Sequence, residues 1–131
     1  MQPQIHLIDE TWIDAPVERV SAVVADPANW RLWWPTLQLT VTRDRGVKGI
    51  QWAAVAAPAG RRGVVPVGGT VEIWLEPLRN GVLLHHYLRL DPIGGRQLGT
   101  RAAAVGTRRL AWHAKRAFWQ LKDELEAGPS R

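Results

Sequence analysis

Four histidines are the side chains in this sequence most able to do chemistry near neutral pH, because imidazole gains and loses a proton there. Their spacing matches no paired metal-ligand motif; they are His6, His85, His86 and His113. The chain has no cysteine, which excludes disulfides, thiolate metal sites and thiol nucleophiles. Its two serines, Ser21 and Ser130, fall inside a predicted helix and in the tail, where a Ser–His–Asp site does not fit. We therefore expect no metal and no cofactor, and non-covalent binding with acid–base help at most.

A predicted β-hairpin positions two of these histidines. Asn80-Gly81 is the preferred two-residue turn. Pairing about it places charge-complementary pairs around an aromatic pair on one face, Glu76–His85, Trp74–Tyr87 and Glu72–Arg89. The other face is apolar apart from one histidine, with the pairs Leu75–His86, Ile73–Leu88 and Val71–Leu90.

His86 is therefore the candidate acid–base residue. Facing a cavity, it could orient a ligand carbonyl or move a proton. Half-buried and satisfied by a backbone group or a water, it would be structural. The choice depends on which face of the sheet is concave: if it is the Glu72 face, then Glu72, Tyr87 and Arg89 become the candidates instead.

The remaining elements follow from periodicity and turn signals. Residues 5–13 predict a strand, and Ala15-Pro16 opens a short helix that buries a valine stripe. Asp26-Pro27 caps a second short helix, which carries Trp30, Trp33 and Trp34 and stops before Pro35. A hairpin about Arg45-Gly46 then predicts the pairs Val41–Ile50, Leu39–Trp52 and Leu37–Ala54.

The last half of the chain predicts a loop over residues 57–69, a glycine-rich connection over 92–100 and a long helix from about 101 to 127. The helix has one apolar stripe, Leu110, Ala114, Ala117, Phe118, Leu121 and Leu125. Trp112 and Trp119 lie together on its opposite side, near Arg108, Lys115 and Lys122. Such a patch indicates cover by the short helices or by residues 92–100, a symmetric homodimer, or membrane contact.

This order of elements resembles the START-like (helix-grip) superfamily, in particular its bacterial polyketide cyclase/dehydrase branch. The segments that carry the resemblance are residues 13–16, Val20, 26–30, 33–35 and 119–125. The resemblance implies one α+β domain over residues 1–131. Its curved antiparallel sheet would wrap around the long C-terminal helix, with two short helices between the first and second strands. Ser21 stands where the family often has an aromatic residue, and five predicted strands fall short of the usual six or seven, so one could hide in residues 57–69.

The resemblance, together with eight tryptophans, implies a cavity between sheet and helix that binds a hydrophobic or aromatic, polyketide- or lipid-like small molecule. The ligand-binding candidates are Trp33, Trp34, Leu39, Trp52, Ile73, His86, Leu88, Phe118 and Leu121. One alternative is a polyketide cyclase or dehydrase with His86 as the acid–base group. Another is a non-enzymatic module that meets a membrane or a protein through Trp112 and Trp119.

Charge and the N-terminus bear on location and partners. The net charge of +5 comes mostly from arginine, and we interpret it as coding bias rather than as a nucleic-acid-binding surface. The first twelve residues show no basic segment followed by an apolar one, which predicts no signal peptide. We expect a cytoplasmic protein.

Overall fold

The computed structural model describes residues 4–56, 65–95 and 97–128, which form one five-stranded antiparallel sheet and three α-helices. The elements in chain order are β1 (Ile5–Ile13), α1 (Val17–Val24), α2 (Pro27–Trp33), β2 (Gln38–Asp44), β3 (Gly49–Ala56), β4 (Val67–Leu78), β5 (Gly81–Pro92) and α3 (Thr100–Glu126). The strand order is β1-β5-β4-β3-β2, so the first and last strands pair and β1 and β2 are the edges. The predicted architecture is confirmed: a curved sheet, a long C-terminal helix and two short helices after the first strand.

The core lies between one face of the sheet and α3. Side chains alternate along β4 and β5, so one face is buried beneath the helix. Its members are Val71, Ile73, Leu75, Leu84, His86, Leu88 and Leu90. From α3, Ala114, Phe118 and Leu121 pack onto this face. The concave side is therefore the apolar face that carries His86.

The short helices begin and end where the sequence predicts. Pro16 precedes α1, which buries Val20 and Val24. The carboxylate of Asp26 accepts a hydrogen bond from the backbone N–H of Ala28 (3.0 Å) and caps α2, with proline in its first turn. Because α2 is this short, its end delivers Trp33 and Trp34 into the core.

The predicted pairing of the β4–β5 hairpin is wrong by two positions. The turn residues are Arg79 and Asn80, and Gly81 already pairs with Leu78 as the first residue of β5. A Cβ at position 81 would overlap the carbonyl oxygen of Ile13 and the ring of Trp12. Gly81 is thus required by the neighbouring strand rather than by the turn. A shift of two preserves which residues share a face, so the apolar face survives the correction.

The β2–β3 pairing is also displaced. Val41 pairs with Trp52 rather than with Ile50, Leu39 pairs with Ala54, and the register shifts between Val41 and Arg43. The connection is longer than a two-residue turn because residues Gly46–Lys48 form a 3₁₀ turn. The hydrogen bond from Arg45 N to Gly49 O (2.9 Å) closes the connection across this turn.

The predicted loop over residues 57–69 is shorter than expected. Residues 67–69 already belong to β4 and pair with β5. Gly69 is needed there because a Cβ would overlap the carbonyl oxygen of Arg89 on β5. Residues 57–64, where a further strand could hide, lie outside the described residues.

Candidate functional site

An aromatic cluster fills the centre of the space between sheet and helix. Trp34 is its hub, with ring centroids 5.1 Å from Trp52, 5.5 Å from His86 and 5.6 Å from Trp33. Phe118 of α3 closes the cluster at 5.1 Å from His86 and 5.4 Å from Trp33. All five side chains are buried. Most contacts are edge-to-face, the arrangement that aromatic quadrupoles favour, so the five rings pack directly against one another.

His86 is held in this cluster as a neutral ring. Trp34 Nε1–H donates to His86 Nε2 at 3.1 Å. Because indole nitrogen can only donate, Nε2 must be the acceptor and the ring proton resides on Nδ1. Burial lowers the pKa of His86 from 6.5 to about 4, and the partly opposing charge of Asp9 does not offset it. His86 is therefore uncharged at neutral pH, with only 1% of its surface exposed.

Two buried donors in the cluster have no partner among the described residues. They are Trp52 Nε1 and His86 Nδ1. Each buried donor left unpaired costs on the order of 1–3 kcal/mol. The burial of these two donors therefore offsets part of the stabilisation that the packing of the rings provides.

The predicted ligand-binding residues fall mostly in this packed core. Eight of the nine are buried, Trp33, Trp34, Trp52, Ile73, His86, Leu88, Phe118 and Leu121. Leu39, on the edge strand β2, is half-buried and borders a small surface depression beside Trp30 and Leu37. The nine share one region of the fold, but none of them lines the larger cavity at the other end of α3.

That cavity has a volume of about 670 Å³ and lies between the sheet and the N-terminal half of α3. Its walls come from the start of β1, the residues between α2 and β2, the adjoining ends of β3, β4 and β5, and the N-terminal half of α3 with the residues before it. The lining residues are Ile5, Pro35, Thr36, Leu37, Ala56, Val65, Val67, Leu90, Leu98, Gly99, Ala102, Gly106, Arg109, Leu110 and His113. We call it the α3–sheet cavity. Its walls are aliphatic except for Thr36, Arg109 and His113, and its volume falls within the range of small-molecule sites.

Small residues on α3 leave the room for this cavity. The N-cap Gly99 and the helical residues Ala102 and Gly106 line it at helical spacing. A Cβ on Gly99 would meet no atom within 4 Å, whereas one on Gly106 would lie 3.0 Å from Cδ1 of Ile5. Further along the same helix, the large side chains of Phe118 and Leu121 are buried against the sheet. On the face of α3 that meets the sheet, the residues therefore change from small to large along the helix. This change is the sequence signal that could have predicted the position of the cavity.

Comparison with solved structures decides the fold. The chain is similar to the Ms6760 protein of Mycobacterium smegmatis, with a TM-score of 0.65 and 14% identity over 96% of this chain and 93% of that one. The DR_A0006 protein of Deinococcus radiodurans is similar with a TM-score of 0.62 and 18% identity, over 95% of this chain and 99% of that one. The Aha1 dimer from Colwellia psychrerythraea is similar with a TM-score of 0.59 and 15% identity, over 96% of this chain and 99% of that one. This chain has the helix-grip fold. No protein-family model matches it, and no curated protein matches its sequence.

A second depression of the helix-grip domain, about 570 Å³, lies between α2 and the C-terminal half of α3. Two predicted residues, Trp33 and Leu121, border it, but much of its wall is polar: Asn29, Arg116, Gln120 and Glu124. A surface groove with these walls suits a binding site for an apolar molecule less well than the α3–sheet cavity does.

The outer face of the helix-grip sheet carries the alternative polar candidates. Its His85 contacts Glu76 (2.9 Å) and Glu10 (3.0 Å) and stacks on Trp74 at 4.6 Å. The predicted Glu72–Arg89 pair is wrong, because the register shift sets Arg89 opposite Thr70. Instead, Glu72 pairs with Arg45 (2.9 Å) and Arg89 with Asp91 (3.3 Å). This face points away from α3, so it does not line the α3–sheet cavity.

Trp112 and Trp119 form the exposed patch that the helical spacing predicts. They are 59% and 46% exposed, their ring centroids are 6.4 Å apart, and Ile8 of β1 is exposed as well. Cover by the short helices or by residues 92–100 is wrong for the described part of the chain.

The lysines beside the patch are engaged within the domain. Lys115 pairs with Asp9 (3.1 Å) and donates to the carbonyl of Glu10 (2.8 Å). Lys122 pairs with Glu126 (2.6 Å) and donates to the carbonyl of Trp12 (2.9 Å). The two lysines, two helical turns apart, therefore donate to the carbonyls of alternate residues of the edge strand β1.

The described residues contain no group of three or more His, Cys, Asp or Glu side chains placed to hold a metal ion. Among those same residues, no helix is long and apolar enough to cross a membrane.

The lowered pKa of His86 predicts a pH-dependent stability. Between about pH 6.5 and about pH 4 the unfolded chain binds a proton that the folded chain does not, so the free energy of unfolding should fall with pH by up to about 3 kcal/mol. His86→Gln keeps an acceptor for Trp34 but does not titrate, so its denaturant midpoint should vary less over this range. The control His6→Gln, at an exposed position, should keep the wild-type slope. Equal slopes in the wild type and His86→Gln would contradict the assignment.

Proposed function

We propose that this helix-grip domain binds an apolar small molecule in the α3–sheet cavity. The observation that carries the proposal is the cavity itself: about 670 Å³ of space with mostly aliphatic walls and three polar residues in its lining. Burial of apolar ligand surface supplies the binding free energy, at roughly 25 cal/mol per Å² before the entropic costs of association. The polar groups then fix the orientation of the ligand.

The ligand class is a lipid- or polyketide-like molecule. The similarity of residues 13–16, 26–30 and 119–125 to the bacterial polyketide cyclase/dehydrase branch supports it at the level of sequence alone. We propose, in addition, a single domain over residues 1–131 and a cytoplasmic location.

Binding without catalysis is the reading that the geometry favours. A cyclisation or dehydration through His86 requires a substrate to reach the imidazole ring. That residue is 1% exposed, and it lines neither the α3–sheet cavity nor the depression between α2 and α3. Its Nε2 is occupied by Trp34 (3.1 Å), and burial lowers its pKa to about 4. A base of that pKa is mostly unprotonated at neutral pH, but it has no route to a proton on a ligand.

Blocking the mouth of the cavity tests the proposal. Ala102 is exposed and lines the cavity, so Ala102→Trp should obstruct it without disturbing the core. In a fluorescence titration with the neutral apolar dye Nile red, we expect the variant to bind at least about tenfold more weakly than the wild type, a loss of about 1.4 kcal/mol.

The matched control is Ala104→Trp, an exposed position on the same helix that does not line the cavity. It should bind the dye as the wild type does. Equal dye binding in all three proteins, or no saturable binding in any of them, would contradict the proposal.

A second proposal concerns the exposed patch of Ile8, Trp112 and Trp119, which we assign to the contact between two copies of the chain. Three large apolar groups together on one surface favour an interface. Lys115 and Lys122 are already paired with carboxylates, so they add little attraction to an anionic membrane. One of the similar structures is described as a dimer, the Aha1 dimer from Colwellia psychrerythraea. A twofold interface brings the same patch of both copies together, so Trp112 and Trp119 of each copy would be buried in the contact.

Sedimentation of a double variant tests this dimer. Trp112→Ala/Trp119→Ala should sediment as a monomer under conditions where the wild type is a dimer, with little change in the free energy of unfolding of the monomer because both side chains are exposed. A wild type that is monomeric at high concentration would rule the dimer out. Salt-sensitive binding of the wild type to vesicles of anionic phospholipid, but not to neutral ones, would favour the membrane alternative.

A further inference from the structure

Three of the fifteen residues that line the α3–sheet cavity are polar, and two of them are neighbours on one helix. The three are Thr36, before β2, and Arg109 and His113, one turn apart on α3. All three side chains are exposed, whereas Ile5, Val67 and Leu90 in the cavity wall are buried. The end of the cavity that Arg109 and His113 border is therefore exposed and carries a cation, whereas other parts of its wall are buried and apolar.

Arg109 differs from the other cations of α3 that meet the sheet. Lys115 and Lys122 are paired with Asp9 and Glu126. No carboxylate of the described residues lies within 4.0 Å of the Arg109 guanidinium. The sequence explains the difference, since residues 92–122 contain no Asp or Glu. The positive charge at this end of the cavity is thus not balanced by a neighbour on its own helix.

His113 sets the position of this end but does not supply a second donor. Its Nε2 lies 2.7 Å from the carbonyl oxygen of Leu32, so the proton on that nitrogen is donated to α2. In the neutral ring the other nitrogen, Nδ1, can only accept. His113 consequently ties α3 to α2 beside the opening, while Arg109 and the hydroxyl of Thr36 are the groups that can donate to a ligand.

We propose that the ligand is an amphiphile with an apolar chain and one carboxylate, and that Arg109 binds the carboxylate. This rests on the proposed function of the cavity. A guanidinium presents two parallel N–H groups that match the two oxygens of a carboxylate, and the apolar wall beside it weakens the screening of that pair by water. The tail lies in the cavity and the head remains at the opening, so the carboxylate does not have to be fully desolvated.

The test compares two probes with the same chain, dodecanoate and dodecanol, as competitors that displace Nile red. The wild type should bind dodecanoate about tenfold more tightly than dodecanol, the gain expected of one charge-assisted contact. Arg109→Gln keeps much of the side-chain length but removes the charge, so it should lose this preference while its affinity for dodecanol stays the same. Arg109→Lys, which keeps the charge without the two parallel donors, should retain part of it.

The matched control is Arg101→Gln, which changes the net charge equally at an exposed position of α3 that does not line the cavity. It should leave the preference for dodecanoate intact. If Arg101→Gln and Arg109→Gln weaken dodecanoate equally, or if the wild type does not distinguish the two probes, the carboxylate proposal is overturned while the cavity remains a binding site. If neither probe displaces the dye and the dye itself does not bind, the proposed function fails as well.

Discussion

The hydrogen bond from Trp34 to His86 joins the three layers of this domain at one buried point. Trp34 follows the last residue of α2, His86 lies on β5, and Phe118 of α3 packs against the His86 ring. A buried indole N–H and a buried imidazole nitrogen both cost free energy unless each finds a partner, and here the Trp34 N–H and His86 Nε2 pair with each other. The contact ties the end of α2 to the sheet, and the burial of the ring keeps His86 neutral.

The same contact lies at the centre of the space between sheet and helix. The buried rings of Trp34, Trp52, His86 and Phe118 occupy that centre. The space lies instead beside the first two turns of α3, where Gly99, Ala102 and Gly106 stand in place of large side chains. Under the proposal made here, His86 on the concave face has a structural role, and Arg109 in the N-terminal half of α3 is the group that meets the ligand.

Local patterns predicted the elements and the faces, because both depend on residues close in sequence. The strand over residues 5–13, the Asp26 cap and the apolar stripe of α3 are all such features. Strand register was not predictable in the same way. Asn80-Gly81 has the composition of a turn, but Gly81 is needed inside β5 because the carbonyl of Ile13, far away in the sequence, passes against it. The cavity residues were missed for a related reason: they come from many separate segments, and what they share is the space they leave.

The protonation state of the His86 ring is the most direct test, because it shows whether the ring is buried and hydrogen-bonded to Trp34 in solution. Long-range nitrogen–proton correlation spectra of ¹⁵N-labelled protein distinguish a protonated ring nitrogen from an unprotonated one. We predict that His86 carries its proton on Nδ1, that Nε2 is unprotonated and hydrogen-bonded, and that neither signal changes from about pH 7 to about pH 5. A ring protonated on Nε2, or one that titrates near its usual value of about 6.5, would contradict the account and return His86 to the list of candidate acid–base groups.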